Sequence, residues 1–478
     1  MSYTIGFRGD QHLGYKPTGM RLNPVTALSQ RITDGVYAHE ATMQSMLDAG
    51  VDGIVDGGDQ FHWHRPDASL IEVANRVDDM RVAAGVWAIV NSGNHDAGAG
   101  NDIAATGVMH RPTLGISAVY PDPRRGPSDG IGPFPGLYEI HTSETNPALP
   151  DSVAIHVVSH HGLSRDLEQH GVNIDPTPLP GYVNLFTSHG VFHADERLYQ
   201  CADPHGEERP IPGEWALRGW DAMILSHYHT LGPVPGYGEG DRGQVWYTGS
   251  SLRRGFSDEA CARGWVKVEI HDTGNVTVTA QPIWQRPQHD LPVIDATGLT
   301  VNELDERITA NLAAVSHHDP ESARLTGDGG AIIRQVVTGS TPTQRQGLTG
   351  LRGRFAALSE DASWWGLDTM RNATSRPKQG DRNRRELRAR VTQFGDELRT
   401  RADQLTHAAA VPQRLREPAL GQATSWADQI VVDTEVGENF TMPAEWGVAV
   451  GTDSPRDGAD SANRSETEDR EPPEAVPA

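Results

Sequence analysis

Cysteine is nearly absent: Cys201 and Cys261 are the only two in 478 residues. Two thiols make neither a disulfide scaffold nor a thiolate zinc site, and they fit a reducing compartment. Long apolar runs are missing too. No stretch approaches the roughly 20 apolar residues that span a bilayer, so no membrane association is expected. The opening Met1-Ser2-Tyr3-Thr4-Ile5 lacks a basic-then-apolar leader and runs straight into a strand-like pattern. A cytoplasmic location is the expectation. Positive charge is also scarce: 41 Lys and Arg face 64 Asp and Glu, for a net charge of -23. That balance argues against a protein that wraps DNA through phosphate contacts. It leaves room for a nuclease, because bound divalent cations supply phosphate recognition locally.

What the chain does have is a recurring pattern. Five short apolar runs each end in a knot of Asp, His or Asn. Asp10-Gln11-His12 follows residues 3–7, Gly57-Gly58-Asp59-Gln60-Phe61-His62 follows 51–55, and Gly93-Asn94-His95-Asp96 follows 86–90. Ser188-His189-Gly190 follows 183–186, and Ser226-His227-Tyr228-His229 follows 223–225. On extended backbone, residues i and i+2 face the same way. Asp10 with His12, and His227 with His229, are therefore paired to approach an ion. Asp59 follows two glycines that permit a sharp turn. A carboxylate bridges two cations where a neutral imidazole does not, which makes Asp59 the natural shared ligand. Asn94 offers a neutral oxygen, and His95 beside it is free for proton transfer. Oxygen and nitrogen donors without thiolate suit Mn²⁺, with Fe and Zn²⁺ as further candidates.

These residues resemble the calcineurin-like metallophosphoesterase family, and within it the nuclease branch of SbcD-like DNA-repair exonucleases. The family pattern D-x-H, G-D-x-x-D/H, G-N-H-D/E, H and G-H-x-H is met by Asp10-Gln11-His12, Gly58–His62, Gly93–Asp96, His189 and Ser226–His229 over residues 1 to about 285. The Gly-Asp-x-Phe-His form and His12-Leu13-Gly14 are features of the nuclease branch. The resemblance implies that Asp10, His12, Asp59 and His229 hold one metal and that Asp59, Asn94, His189 and His227 hold a second. It implies catalytic roles for His95 and His62, with Asp96 orienting His95. It points to two Mn²⁺ ions, to DNA as substrate, and to a coiled-coil SMC-like ATPase as partner; a homodimer is a further candidate. Ser226 stands where the family has Gly. Ser159-His160-His161-Gly162 repeats the strand-then-His form and competes with His189, which is preferred because its run directly precedes the His227 strand.

The expected fold is α/β: a four-layer αββα sandwich over 1–287, with helices over 37–49 and 70–84 and a hairpin around 272–275. A small α+β capping domain is expected over 290–360, with a helix over 301–314 and a strand over 331–337. A helical extension is expected over 361–440. In it, residues 371–401 place Leu387, Val391, Phe394 and Leu398 on one stripe of an Arg-rich helix. Residues 451–478 are acidic, lack aromatics, and read as a disordered tail. The functional expectation is two-metal hydrolysis of DNA phosphodiesters. The alternatives are a small-molecule phosphomonoesterase or cyclic-nucleotide phosphodiesterase of the same fold, and a non-catalytic scaffold that keeps the shell.

Overall fold

The computed structural model describes residues 2–96, 116–120, 132–164, 166–169, 171–192, 209–237, 244–256 and 261–371. The expected Arg-rich helix and extension past residue 371 and the acidic tail lie outside the described residues, as does Cys201, whereas residues 364–371 of the expected helical extension form a strand.

Two six-stranded mixed sheets dominate. In the first, the order is Val276–Pro282, Gly264–Ile270, Tyr3–Arg8, Gly53–Asp56, Trp87–Asn91 and Ile116–Val119. The strands Tyr3–Arg8, Gly53–Asp56 and Trp87–Asn91 run parallel, with Arg8 opposite Asp56 and Asp56 opposite Val90. The second runs Leu231–Pro233, Val245–Thr248, Ala222–Ser226, Val183–His189, Val153–Val158 and Tyr138–His141. Its four inner strands are parallel, with Ser226 opposite His189. Strands covered on both faces need apolar side chains throughout, which is why these runs read as nearly continuous hydrophobic segments. One face of each sheet meets the other in a shared core of Ile5, Phe7, Val55 and Ile89 against Ile155, Val157, Leu185 and Ile224. The expected hairpin forms, with Ile270 opposite Val276.

The outer faces differ from each other. Helices Gln30–Asp48 and Ala68–Ala83 cover the first sheet, burying Met43, Met46 and Val77 with Ile54 and Trp265. The second sheet is covered by Trp215 and Trp220, which cluster with its own Tyr138, Phe186 and Met223. Among the described residues only short helical segments, such as Gly213–Leu217, lie in this part of the chain, so a fourth helical layer is not part of what is described. The helix expected from residue 37 begins at Gln30. Its first turns bury Gln30, Arg31 and Asp34 rather than an apolar stripe, so hydrophobic periodicity has nothing to register there.

Residues 288–371 build a separate four-stranded sheet around the central strand Ile332–Ser340. Helices Val301–Ala313 and Pro342–Leu358 pack on it through Ile308, Leu312, Leu348 and Phe355. Both helices open on capping boxes, Thr300 with Glu303 and Thr341 with Gln344, which satisfy N-terminal amides that the helix leaves unpaired. Its last strand, Trp364–Arg371, continues past residue 360. No helix among the described residues is long and apolar enough to cross a membrane.

Candidate metal centre

In sheets of parallel strands, polar side chains gather beyond the C-terminal strand ends. Here both sheets aim those ends at one place. Asp10 and Asp59 lie just beyond the first two strands of the first sheet, Asn94 beyond the third, and His189 and His227 at the ends of adjacent strands of the second. The loops are stitched together by backbone bonds: Asp10 N–H donates to Gly58 O and His12 N–H to Asp59 O, both at 2.9 Å.

Glycine makes the close approach feasible. A Cβ on Gly93 would sit 2.1 Å from Asp59 Oδ1 and 2.6 Å from His189 Cε1. Ser226, the departure from the family pattern, is the last residue of its strand, and the left-handed backbone falls on His227 instead, with φ of 107°. The Ser226 hydroxyl occupies space left open by Gly9 and Gly57 and bonds Thr248 Oγ1 at 2.9 Å. Four of the five described non-glycine residues with positive φ are Asp10, His12, Asp59 and His227; Ala27 is the other. Such backbone costs on the order of 1–3 kcal/mol per residue and concentrates where function demands it.

The donors fall into two groups around Asp59. His12 Nε2 lies 3.2 Å from His229 Nε2 and 3.8 Å from Asp10 Oδ1, and His229 Nε2 lies 3.7 Å from that same oxygen. On the other side His189 Nε2 is 3.0 Å from Asn94 Oδ1 and 3.3 Å from His227 Nδ1. Asp59 Oδ2 stands between, 3.7 Å from His12 Nε2 and 3.5 Å from His189 Nε2. Asp10–His12–His229 and Asp10–Asp59–His189 each have the spacing to hold a cation, and His12–His62–His95 forms a third such group. His189 Nδ1 is fixed by Gly57 O at 3.0 Å, which sets its ring so that Nε2 faces the cluster. His160 does not join: its ring packs 5.9 Å from that of His189, with Nδ1 near His189 O.

The electrostatics describe a centre short of positive charge. Asp10 is fully buried, and its Oδ1 has no hydrogen-bond partner. Burial, reinforced by Asp59, pushes its carboxyl up to about 8. Burial works on Asp59 in the same direction, but His189 beside it holds that carboxylate below its usual range. Burial opposes the charge on His189 as well, yet Asp59 raises it to about 9. Burial takes His227 and His62 down to about 3 and His12 well below its ordinary value. In the metal-free chain, protons on Asp10 and His189 thus sit where cations would neutralise the cluster. An oxygen aimed at neighbours that give it no hydrogen, beside the His12 and His227 imidazoles held neutral, fits a divalent cation.

Two residues behave differently from the sequence expectation. Asp96 does not orient His95. Its Oδ2 accepts the backbone N–H groups of Asp59 at 2.6 Å and Gly93 at 3.0 Å, so it clamps two of the loops, and burial with Asp59 nearby raises it to about 7. His95 is held instead by its own Nδ1 against His62 O at 2.8 Å and by its backbone N–H on Asp59 Oδ1 at 2.8 Å. The residue that sequence reasoning missed is Arg254. Its charge bears on Asp10, His12, His62 and His227. It lies on the segment after the strand Val245–Thr248, a sixth strand-end loop with no Asp or His between Thr248 and Arg254 to flag it.

No family model and no curated protein matches the chain. Among solved structures it is similar to a dimetal phosphatase from Danio rerio, at 12% identity and a TM-score of 0.32, over 58% of this chain and 98% of that one. It is also similar to the purple acid phosphatase PPD1 from yellow lupin (Lupinus luteus) seeds, at 13% identity and a TM-score of 0.32, over 59% of this chain and 52% of that one. Similarity at that level assigns no activity; the case rests on the chain's own residues.

Proposed function

We propose that this protein is a metal-dependent phosphoesterase with two divalent cations, Mn²⁺ being the best match to its donors. The observation that carries the reading is Asp59 Oδ2, set 3.7 Å from His12 Nε2 and 3.5 Å from His189 Nε2, one carboxylate oxygen shared by two donor groups. Asp10, His12, His229 and Asp59 would hold one cation, and Asp59, Asn94, His189 and His227 the other. Bound there, two such ions supply neutralisation of phosphoryl oxygens and acidification of a water.

The chain's own groups do the rest. His95, with Nδ1 committed to His62 O, keeps Nε2 for the substrate and exchanges a proton with the leaving oxygen. Arg254 adds positive charge for the substrate phosphate. Asp96 acts as a positioning residue, keeping the Asp59 and Asn94 loops at their spacing. This donor set serves monoesters and diesters alike, so the small-molecule phosphomonoesterase reading stands beside that of a DNA nuclease. The calcineurin-like family and its nuclease branch, the capping role of residues 288–371 and an ATPase partner are parts of the same proposal.

The test is turnover and metal content in parallel. The Mn²⁺-loaded protein is assayed on p-nitrophenyl phosphate mono- and diesters and on DNA strands, beside His95→Ala. Hydrolysis by the wild type, a loss of about 10²–10⁴-fold in the variant and equal metal content in both are expected. No hydrolysis of any ester, or a variant that also loses its metal, would contradict the assignment.

A further inference from the structure

Trp63 is 61% exposed and is the one aromatic among the large hydrophobic side chains that the described residues leave in solvent. The others are the aliphatic Leu22, Val25, Leu28, Leu217, Val293 and Leu358. Its place is specific. The indole stands edge-on to His62 with ring centroids 4.7 Å apart. Tyr15 meets the same imidazole edge-on at 5.0 Å. His62 in turn stacks on His95 at 5.0 Å and lies 5.5 Å from His12. The indole is therefore one ring further out than the group beside the cation donors. An exposed indole loses apolar burial, so solvent alone does not favour it there.

Charge points the same way. Trp63, His64 and Arg65 are consecutive and exposed, and no acidic residue falls between Phe61 and Pro66, in a chain whose net charge is -23. Arg254 bears on His62 as well. Aromatic faces interleaved with cations are what a single-stranded polynucleotide requires: cations follow its phosphates, and the rings take its bases whatever their identity. An aliphatic phosphomonoester has no ring to place on the indole, and a mononucleotide has no neighbouring nucleotide for the cations to follow.

We infer that Trp63, which packs on the same His62 ring that Tyr15 meets, is a platform for the nucleobase next to the phosphate held at the metal centre, so that the substrate class is a single-stranded or frayed polynucleotide. This rests on the phosphoesterase reading of the centre. It makes Trp63 a specificity determinant that acts one ring away from the chemistry.

The test is binding, which does not require turnover. A dye-labelled single strand and an all-abasic strand of the same length are titrated with the full-length protein in Ca²⁺, and anisotropy is read for wild type, Trp63→Ala and Trp63→Phe. Wild type should favour the base-bearing strand. Trp63→Ala should weaken that strand roughly tenfold or more, the order of one lost base stack, leave the abasic strand unchanged, and so abolish the preference; Trp63→Phe should restore most of it. Equal weakening of both strands, or no weakening of either, overturns the platform and makes the exposed indole a contact for something else, such as a protein partner. Ester hydrolysis is scored separately. Trp63-dependent base preference without any hydrolysis would overturn the proposed activity and keep the platform, whereas hydrolysis without that preference would do the reverse.

Discussion

Asp34 and Asp10 are both fully buried aspartates, yet their surroundings differ. Asp34 receives Arg286 Nε and Nη2 at 2.8 Å each, Gln30 Nε2 at 2.8 Å and Arg31 Nη1 at 3.2 Å. Arg286 spends its remaining donors on Asp328 O, Gly330 O and Thr326 Oγ1. This hub ties the helix Gln30–Asp48 to residues 326–330, and none of these side chains leaves a buried polar atom without a partner. Asp10 has only the His227 N–H, at 2.9 Å on one oxygen, with the other unpartnered. The same residue type is self-neutralised in one place and left short of charge in the other. A buried ion pair that closes on itself is structure; a buried carboxyl on strained backbone, with one oxygen unpartnered and a pKa raised by burial, suits a group the chain does not itself supply.

The sharpest way to break that contrast is to remove one carboxylate from each cluster's logic. Asp59→Asn should lower phosphoester hydrolysis by about a thousandfold or more, because the shared ligand carries several kcal/mol of charge stabilisation, and should lower the unfolding midpoint of the metal-free protein only by what the His189–Asp59 pairing contributes. A variant with near-normal turnover would remove the shared-ligand reading. Arg286→Ala should act in the opposite sense. Leaving Asp34 buried with Arg31 as its one remaining cation costs up to about 3–5 kcal/mol, read as a lower denaturant midpoint, with metal content per folded chain unchanged. Loss of metal at full stability would show that the hub belongs to the site after all.

A third effect is pH dependence. The carboxyls of Asp10 and Asp96, at about 8 and 7, and the His189 imidazole, at about 9, lie above their unfolded values. Such groups contribute stability that is fully present below the unfolded pKa and lost as pH rises through the folded one. Asp59 is held low and works the other way, failing only in acid. His12, His62 and His227, held low, work against this only below the ordinary histidine range, so the metal-free protein should lose thermal stability between about pH 7 and pH 9, and Mn²⁺ should cancel the loss by taking the protons' place. Metal affinity should rise over the same window. A metal-free melting temperature that climbs with pH would invert the account. The smallest effect is expected from Ser226→Gly, which forfeits the hydroxyl bond to Thr248. About 1 kcal/mol of stability and no change in metal stoichiometry are expected; a drop in stoichiometry would mean the serine shapes the centre.

Much of this was legible in the sequence because ligand chemistry is local. Asp10-Gln11-His12 and Gly93-Asn94-His95 carry their donors and their turn residues within a few positions, and the apolar strands that precede them are continuous. The choice of His189 over His160 depended on chain order alone, and the structure gives it a geometric basis, since only His189 reaches Asp59 and Asn94. What was not legible is long-range and polar. Arg286 meets Asp34 across 252 residues, so no pattern in either segment announces the pair, and the helix start at Gln30 was missed with it. The family resemblance pairs Asp96 with His95, whereas its bonds go to Gly93 and, across 37 residues, to Asp59. Arg254 acts through charge from a loop with no ligand signature.

The central claim is that the unneutralised cluster exists to hold two cations around Asp59. The most direct measurement is elemental analysis of the Mn²⁺-loaded, desalted protein, wild type beside Asp59→Asn. The account predicts two ions per wild-type chain and loss at both positions in the variant. A wild type that retains no ion, or a variant that still holds two, would contradict it.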